Sequence, residues 1–236
     1  MDGFCFSKKF MYKKELIKSM NYLAQKKNTI FLGQSVLFSG NAIYNTLINV
    51  PLKKKLELPV FEDVQMGMSI GLALEGYVPI TCFPRFDFLV SAFNQLINHL
   101  DKIRLMSRNE MKPKIIIRTS IGSKKPLDGG PQHTQDYTKI LKEVLSEVRV
   151  VYLDNPKKIF QLFKGAYLDK NNYSYLFIEH GDFYNDNDYG GCCGYDGDDY
   201  CEIPAYAFGV ILNSFLPSGD AADGVAALKA AGFASA

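Results

Sequence analysis

Residues 59–98 read PVFEDVQMGMSIGLALEGYVPITCFPRFDFLVSAFNQLIN, and they lay out one full turn of an alternating architecture. An extended piece over residues 58–61 leads into a helix over residues 63–75. Gly76 stops that helix, as glycine does just past a helix end. Residues 79–83 then form a strand. A long amphipathic helix over residues 86–107 follows, with Leu89, Phe93, Leu96, Ile97 and Leu100 along one face. The first of these helices carries Gly67 and Gly71 in its interior, beside Ser69 and Ala73. Each interior glycine costs about 1 kcal/mol relative to alanine. Such a helix is expected where another element packs very close.

The same alternation extends in both directions. Residues 12–27 place Leu16, Ile17, Met20, Leu23 and Ala24 at helical spacing, and residues 29–32 read as a short buried strand ending at Gly33. Residues 114–119 are a dense β-branched strand and residues 149–153 another. Pro156 opens a helix to residue 168 at the first-turn position proline favours, and residues 173–179 form a last strand. Strands alternating with helices predict an α/β fold: a mostly parallel sheet with helices on both faces. Ligands of such sheets bind beyond the carboxyl ends of the strands. Glu62, residues 85–88 and the loop over residues 122–135 all follow strands, so they are expected at one edge of the sheet.

Composition removes several classes of function. A formal charge of +2 without a basic stripe argues against a nucleic-acid surface, and Lys53, Lys54 and Lys55 read as a solvated loop. The longest apolar stretch, residues 205–216, is shorter than the roughly 20 residues of a membrane span. The first residues lack the apolar core of a secretory signal. Cys192, Cys193 and Cys201 have no zinc spacing, and a reducing, cytoplasmic setting is the simplest expectation. Beyond residue 185 the composition shifts, and residues 186–236 read as a Gly/Asp/Ala-rich tail.

The quoted block resembles the pyrimidine-binding domain of the beta subunit of thiamine-diphosphate-dependent 2-oxo acid dehydrogenases. That family runs from Pro-x-x-Glu, here Pro59 to Glu62, through a glycine-bearing helix to Gly-x-x-Pro-Ile, here Gly76 to Ile80. An aromatic pair and a helix with Gln-x-x-Asn follow, here Phe86 and Phe88, then Gln95 and Asn98. Downstream, Gln132-His133-Thr134-Gln135 is similar to the family's Gln-His-Ser-Gln, and residues 166–171 are similar to a loop that holds potassium in several members. The resemblance covers residues 12–185 and implies a thiamine-diphosphate fold of the pyrimidine type. Transketolases and deoxyxylulose phosphate synthases share this domain, so a half-enzyme of that kind is an alternative. A non-catalytic module retaining the fold is another.

The resemblance also implies roles. Read from spacing alone, Glu62 is an acid at a helix start, worth about 0.3–1 kcal/mol through the helix dipole. The family places a carboxyl group there against the cofactor's aminopyrimidine, where a dry pocket suits it to proton exchange. Phe88 matches the aromatic that stacks on that ring, and Phe86 is expected in the core. His133 matches a histidine beside the reacting carbon, a residue type suited to proton transfer near neutrality. Asp169, Asn171 and the carbonyl of Ala166 match the potassium loop. His99 and His180 are expected to be structural.

Two departures stand out. Gln34 replaces an acidic residue common near the first strand, so it can hydrogen-bond to the cofactor site but carries no charge. The Gly-Asp-Gly…Asn pattern that binds the diphosphate through magnesium is not read in the chain, nor is the family's usual C-terminal domain after Asn185. The diphosphate and magnesium are then expected from a diphosphate-binding, alpha-type partner subunit, and the chain alone is expected to be inactive.

Overall fold

The computed structural model describes residues 3–125 and 128–184. The tail read over residues 186–236 lies outside the described residues. In chain order the main elements are α1 (Gly3–Ala24), β1 (Thr29–Gly33), α2 (Ala42–Asn45), β2 (Lys55–Glu57), α3 (Glu62–Leu74) and β3 (Val78–Phe83). A helical run from Phe86 to Met106 follows, opening with α4 (Phe86–Leu89) and closing with α5 (Asp101–Met106). Then come β4 (Ile116–Ile121), α6 (Thr138–Val144), β5 (Val148–Tyr152), α7 (Pro156–Leu168) and β6 (Ser174–His180).

The six strands form one sheet in the order β2-β1-β3-β4-β6-β5, and every pairing is parallel. The α/β sheet covered on both faces is therefore present. One face buries Leu16, Met20 and Leu23 of α1 with Ile159 and Phe163 of α7 against Ile80, Ile116 and Phe177. The other buries Met66 and Ile70 of α3 and Leu89, Leu96 and Leu100 of the long helical run against Ile117, Leu176 and Ile178. β3 and β4 are buried along their whole length. This is why neither strand shows the apolar–polar alternation of a half-exposed strand, and why the polar residues Arg118, Thr119 and Ser120 of β4 are buried too.

Three local expectations need correction. The extended piece expected over residues 58–61 is not a strand. β2 lies just upstream, with Lys55, Leu56 and Glu57 opposite Phe31, Leu32 and Gly33. Pro59 has no N–H to donate to a ladder, so pairing ends after Leu58 donates to the Gly33 carbonyl at 3.0 Å. The lysine run thus enters an edge strand, where charged side chains are well tolerated. The helix expected over residues 86–107 keeps its path but changes winding, with a tight turn over Val90–Ala92 and a wide, π-helical stretch over Asn94–Leu100. Leu96 within the wide turns and Asp101 just after them are both fully buried. The short helices α2 and α6 carried little sequence signal, because α2 buries only Ile43 and α6 only Leu141.

Asp101 repays that change of winding. Its fully buried carboxylate accepts the backbone N–H groups of Ser146, Glu147 and Val148 at 2.9, 2.7 and 3.0 Å, tying the helical run to the start of β5. Lys102 donates to its other oxygen at 2.7 Å. Burial by itself raises this carboxyl; the Lys102 and backbone hydrogen bonds outweigh it and hold the group below the usual aspartate range. A depressed folded value means stability that is present above the unfolded pKa of about 3.9 and lost as the pH falls through the folded value. Asp101→Asn should therefore cost about 1.5–3 kcal/mol near neutrality, the scale of hydrogen bonds to a charged group. In urea unfolding followed against pH, the gap between variant and wild type should close below about pH 4; a gap independent of pH would show that the charge contributes nothing.

Candidate active site

The connection from β1 runs to one side of the sheet and that from β3 to the other, so the strand order reverses between these two neighbours. Crevices of this kind hold ligands in open α/β sheets. Gln34 follows β1, Glu62 follows β2, Phe88 follows β3 and His133 lies in the loop after β4. All four expected residues thus lie on connections leaving the carboxyl ends of neighbouring strands.

Glu62 occupies the first turn of α3 and is 8% exposed. Gln34 Nε2 donates to its Oε1 at 2.8 Å. Gln34 is the hydrogen-bond partner of this carboxyl group among the described residues, which leaves Oε2 open to a further donor. The departure at position 34 therefore has a structural meaning: an amide orients the carboxylate without holding a titratable proton of its own. Two further contacts fix the loop that carries Gln34. Gly33 has φ +142, and a Cβ there would lie 2.2 Å from the Cys82 carbonyl oxygen, so only glycine allows β1 to turn off the sheet here. The Glu57 carboxylate accepts the backbone N–H groups of Ser35, Val36 and Leu37. Glu57 was missed in the sequence, where Leu-Glu-Leu-Pro looks like an ordinary edge strand.

Phe88 and His133 form a second pair, with ring centroids 5.8 Å apart at 82°. Phe88 is half-buried, whereas Phe86 is fully buried in the core as expected. The His133 ring stands 3.1 Å from the Gly129 carbonyl through Nδ1. Gly122 makes room for this loop to fold back, since a Cβ there would lie 1.7 Å from the His133 carbonyl oxygen. Asp87, another residue the sequence reading passed over, accepts the Gln135 N–H at 3.3 Å through Oδ1 and so ties the two halves of the pair. Among the described residues, no hydrogen bond or ring contact joins Glu62 to Phe88 or His133. The structure forms two pairs on one sheet edge rather than one closed cluster.

No family model matches this chain. Curated relatives do. It is 32% identical over 130 residues to the pyruvate dehydrogenase E1 component subunit beta of Gracilaria tenuistipitata, covering 55% of this chain and 39% of the relative. It is 29% identical over 128 residues to the 2-oxoisovalerate dehydrogenase subunit beta of Bacillus subtilis, covering 54% and 38%. Against the Cyanidium caldarium pyruvate dehydrogenase E1 beta subunit it is 26% identical over 167 residues, 69% of this chain and 49% of that one. Over about half of its length or more, this chain is similar to 2-oxo acid dehydrogenase beta subunits. It spans less than half the length of these relatives. Two solved transketolases share the fold. A split-gene transketolase in an inactive beta4 tetramer superposes with a TM-score of 0.52 at 16% identity, covering 72% of this chain and 49% of that one. The Campylobacter jejuni transketolase gives 0.55 at 12% identity, covering 72% and 25%.

Two other features of the structure lie outside these pairs. α3 presents Val64 and Met68 to solvent, with Phe61 ahead of them and exposed Gly71 one turn beyond. Nothing lies within 4 Å of where a Gly71 side chain would begin, and only Gln95 approaches that of Gly67. The residues expected to hold potassium are arranged differently. Ala166 is buried within α7, and the Asp169 carboxylate is already bonded, accepting the Asn171 N–H and the Tyr175 hydroxyl, each at 2.8 Å. Lys114 Nζ donates to the carbonyls of Tyr167 and Asp169 at 3.0 and 2.5 Å. A free potassium ion does not fit a loop whose oxygens are engaged in this way. No described helix is long and apolar enough to cross a membrane.

Proposed function

We propose that this chain is the pyrimidine-binding, beta-like subunit of a thiamine-diphosphate-dependent 2-oxo acid decarboxylase or dehydrogenase, with Glu62 as the group that activates the cofactor's aminopyrimidine. The observation that carries this reading is the Gln34–Glu62 pair. It is a nearly buried carboxyl group, held by a neutral donor through one oxygen and with the other open, at the sheet edge where such folds bind ligands. A carboxyl so held can exchange a proton with a ring nitrogen placed against Oε2, while Gln34 keeps it from rotating away. When bound, thiamine diphosphate supplies the electron sink for cleaving the bond beside a ketone carbon. Phe88 offers an aromatic face to the flat ring. His133, in ring contact with Phe88, would hold a substrate carboxylate or pass a proton, tasks to which an imidazole is suited.

The diphosphate and magnesium would come with an alpha-type partner. Support for a partner lies in α3, whose exposed Val64, Met68 and side-chain-free Gly71 allow another helix backbone to approach closely. Co-expression with a diphosphate-binding alpha-type subunit, followed by assay of 2-oxo acid decarboxylation with thiamine diphosphate and magnesium, tests the reading. Cofactor-dependent turnover is expected from the pair and none from this chain alone. A stable pair that turns over no 2-oxo acid would sink the proposal.

A further inference from the structure

We propose that the Lys114 ammonium is the built-in cation of the loop over residues 167–172, standing where a free monovalent ion would otherwise neutralise the carbonyl oxygens that follow α7. Three sets of contacts lead there. Lys114 sits just before β4, and its half-buried side chain reaches back so that Nζ donates to both the Tyr167 and Asp169 carbonyls. These are the carbonyls left over at a helix C-terminus, which carries partial negative charge and favours a cation. From the other side, Arg104 Nη2 donates to the Asn171 and Asn172 carbonyls at 2.5 and 3.2 Å. The Arg104 guanidinium is itself seated over the Tyr173 ring at 4.3 Å, with Arg149 also over that ring at 4.1 Å. The Asp169 carboxylate, the one acidic group of the loop, spends both oxygens on Asn171 and Tyr175.

The loop therefore satisfies four carbonyls with two cations of the chain. A soluble ion would have to displace Lys114 and sit beside a positive charge. The positive charge is covalently supplied and needs no ion from solution. This inference does not depend on the thiamine-diphosphate reading, because it concerns the stability of the loop in the chain by itself.

The test is thermal melting of the purified full chain, without cofactor or partner, in potassium chloride and in tetramethylammonium chloride at matched ionic strength. Wild type should melt at the same temperature in both. Lys114→Met keeps an apolar stem of similar length but removes the charge. It should melt lower and be selectively raised by potassium, on the order of 5 °C at saturation, as expected when an ion binds only the folded state. A selective rise of the wild-type melting temperature in potassium overturns the proposal, and so does a Lys114→Met variant that responds equally to both salts. If Lys114→Met does not fold, the wild-type comparison still decides, together with Lys114→Arg, which retains the charge and should be indifferent to potassium.

Discussion

Replacing Glu62 with Gln is expected to lower cofactor-dependent turnover of the reconstituted pair by about 10²- to 10⁴-fold, the range typical of losing a positioned acid–base group. The substitution is nearly isosteric. Gln34 donates to Oε1 at 2.8 Å, and an amide oxygen at position 62 can still accept that bond. What disappears is the ability to exchange a proton at Oε2. The helix start loses a negative charge as well, worth about 0.3–1 kcal/mol, so the fold should survive with a small change in denaturant midpoint. The measurement is a pair of curves, turnover and urea unfolding, on the same preparation. Wild-type turnover in Glu62→Gln would remove Glu62 from the mechanism, whereas loss of both activity and folding would assign it a structural role only.

Glu179→Ala should cost about 3–5 kcal/mol, the scale of leaving a buried partner charge uncompensated. Arg118 and Glu179 lie on the neighbouring strands β4 and β6, and both side chains are wholly buried. Arg118 Nε donates to Oε1 at 2.6 Å and Nη2 to Oε2 at 3.0 Å, a two-pronged bond in which planar guanidinium meets planar carboxylate. The surroundings are protein on every side. Tyr12 of α1 accepts the His180 N–H through its hydroxyl at 3.2 Å, and Cys82 lies opposite Arg118 on β3. Burial pushes the Cys82 thiol up to about 11, with Arg118 pulling it back, so this cysteine is inert at neutral pH. Removing only the carboxylate strands a guanidinium with no water to turn to. Replacing both partners, Arg118→Met with Glu179→Leu, should recover most of the loss, because apolar pairs of similar volume often equal buried ion pairs. Urea unfolding of wild type and the two variants checks this, and a Glu179→Ala loss below about 1 kcal/mol would show the pair to be far better hydrated than its burial implies.

The sequence alone determined the α/β alternation, because β-branched runs and helical periodicity are local. Pro156 and Gly76 mark their helix ends through their own backbone chemistry, independent of any neighbour. The block over residues 59–98 offered Glu62 and Phe88 as candidates only through its resemblance to a known family, because spacing alone left them a helix-start acid and a helix phenylalanine. Tertiary structure alone decided what those residues touch. Gln34 meets Glu62 across 28 residues, Lys114 meets Asp169 across 55, and Arg118 meets Glu179 across 61. Within the sequence Lys114 and Arg118 are two basic residues of a β-branched strand, and Glu57 an acid ahead of an extended piece. Each acquires its role from strand order, because a parallel sheet sets side by side strands that the chain itself keeps far apart.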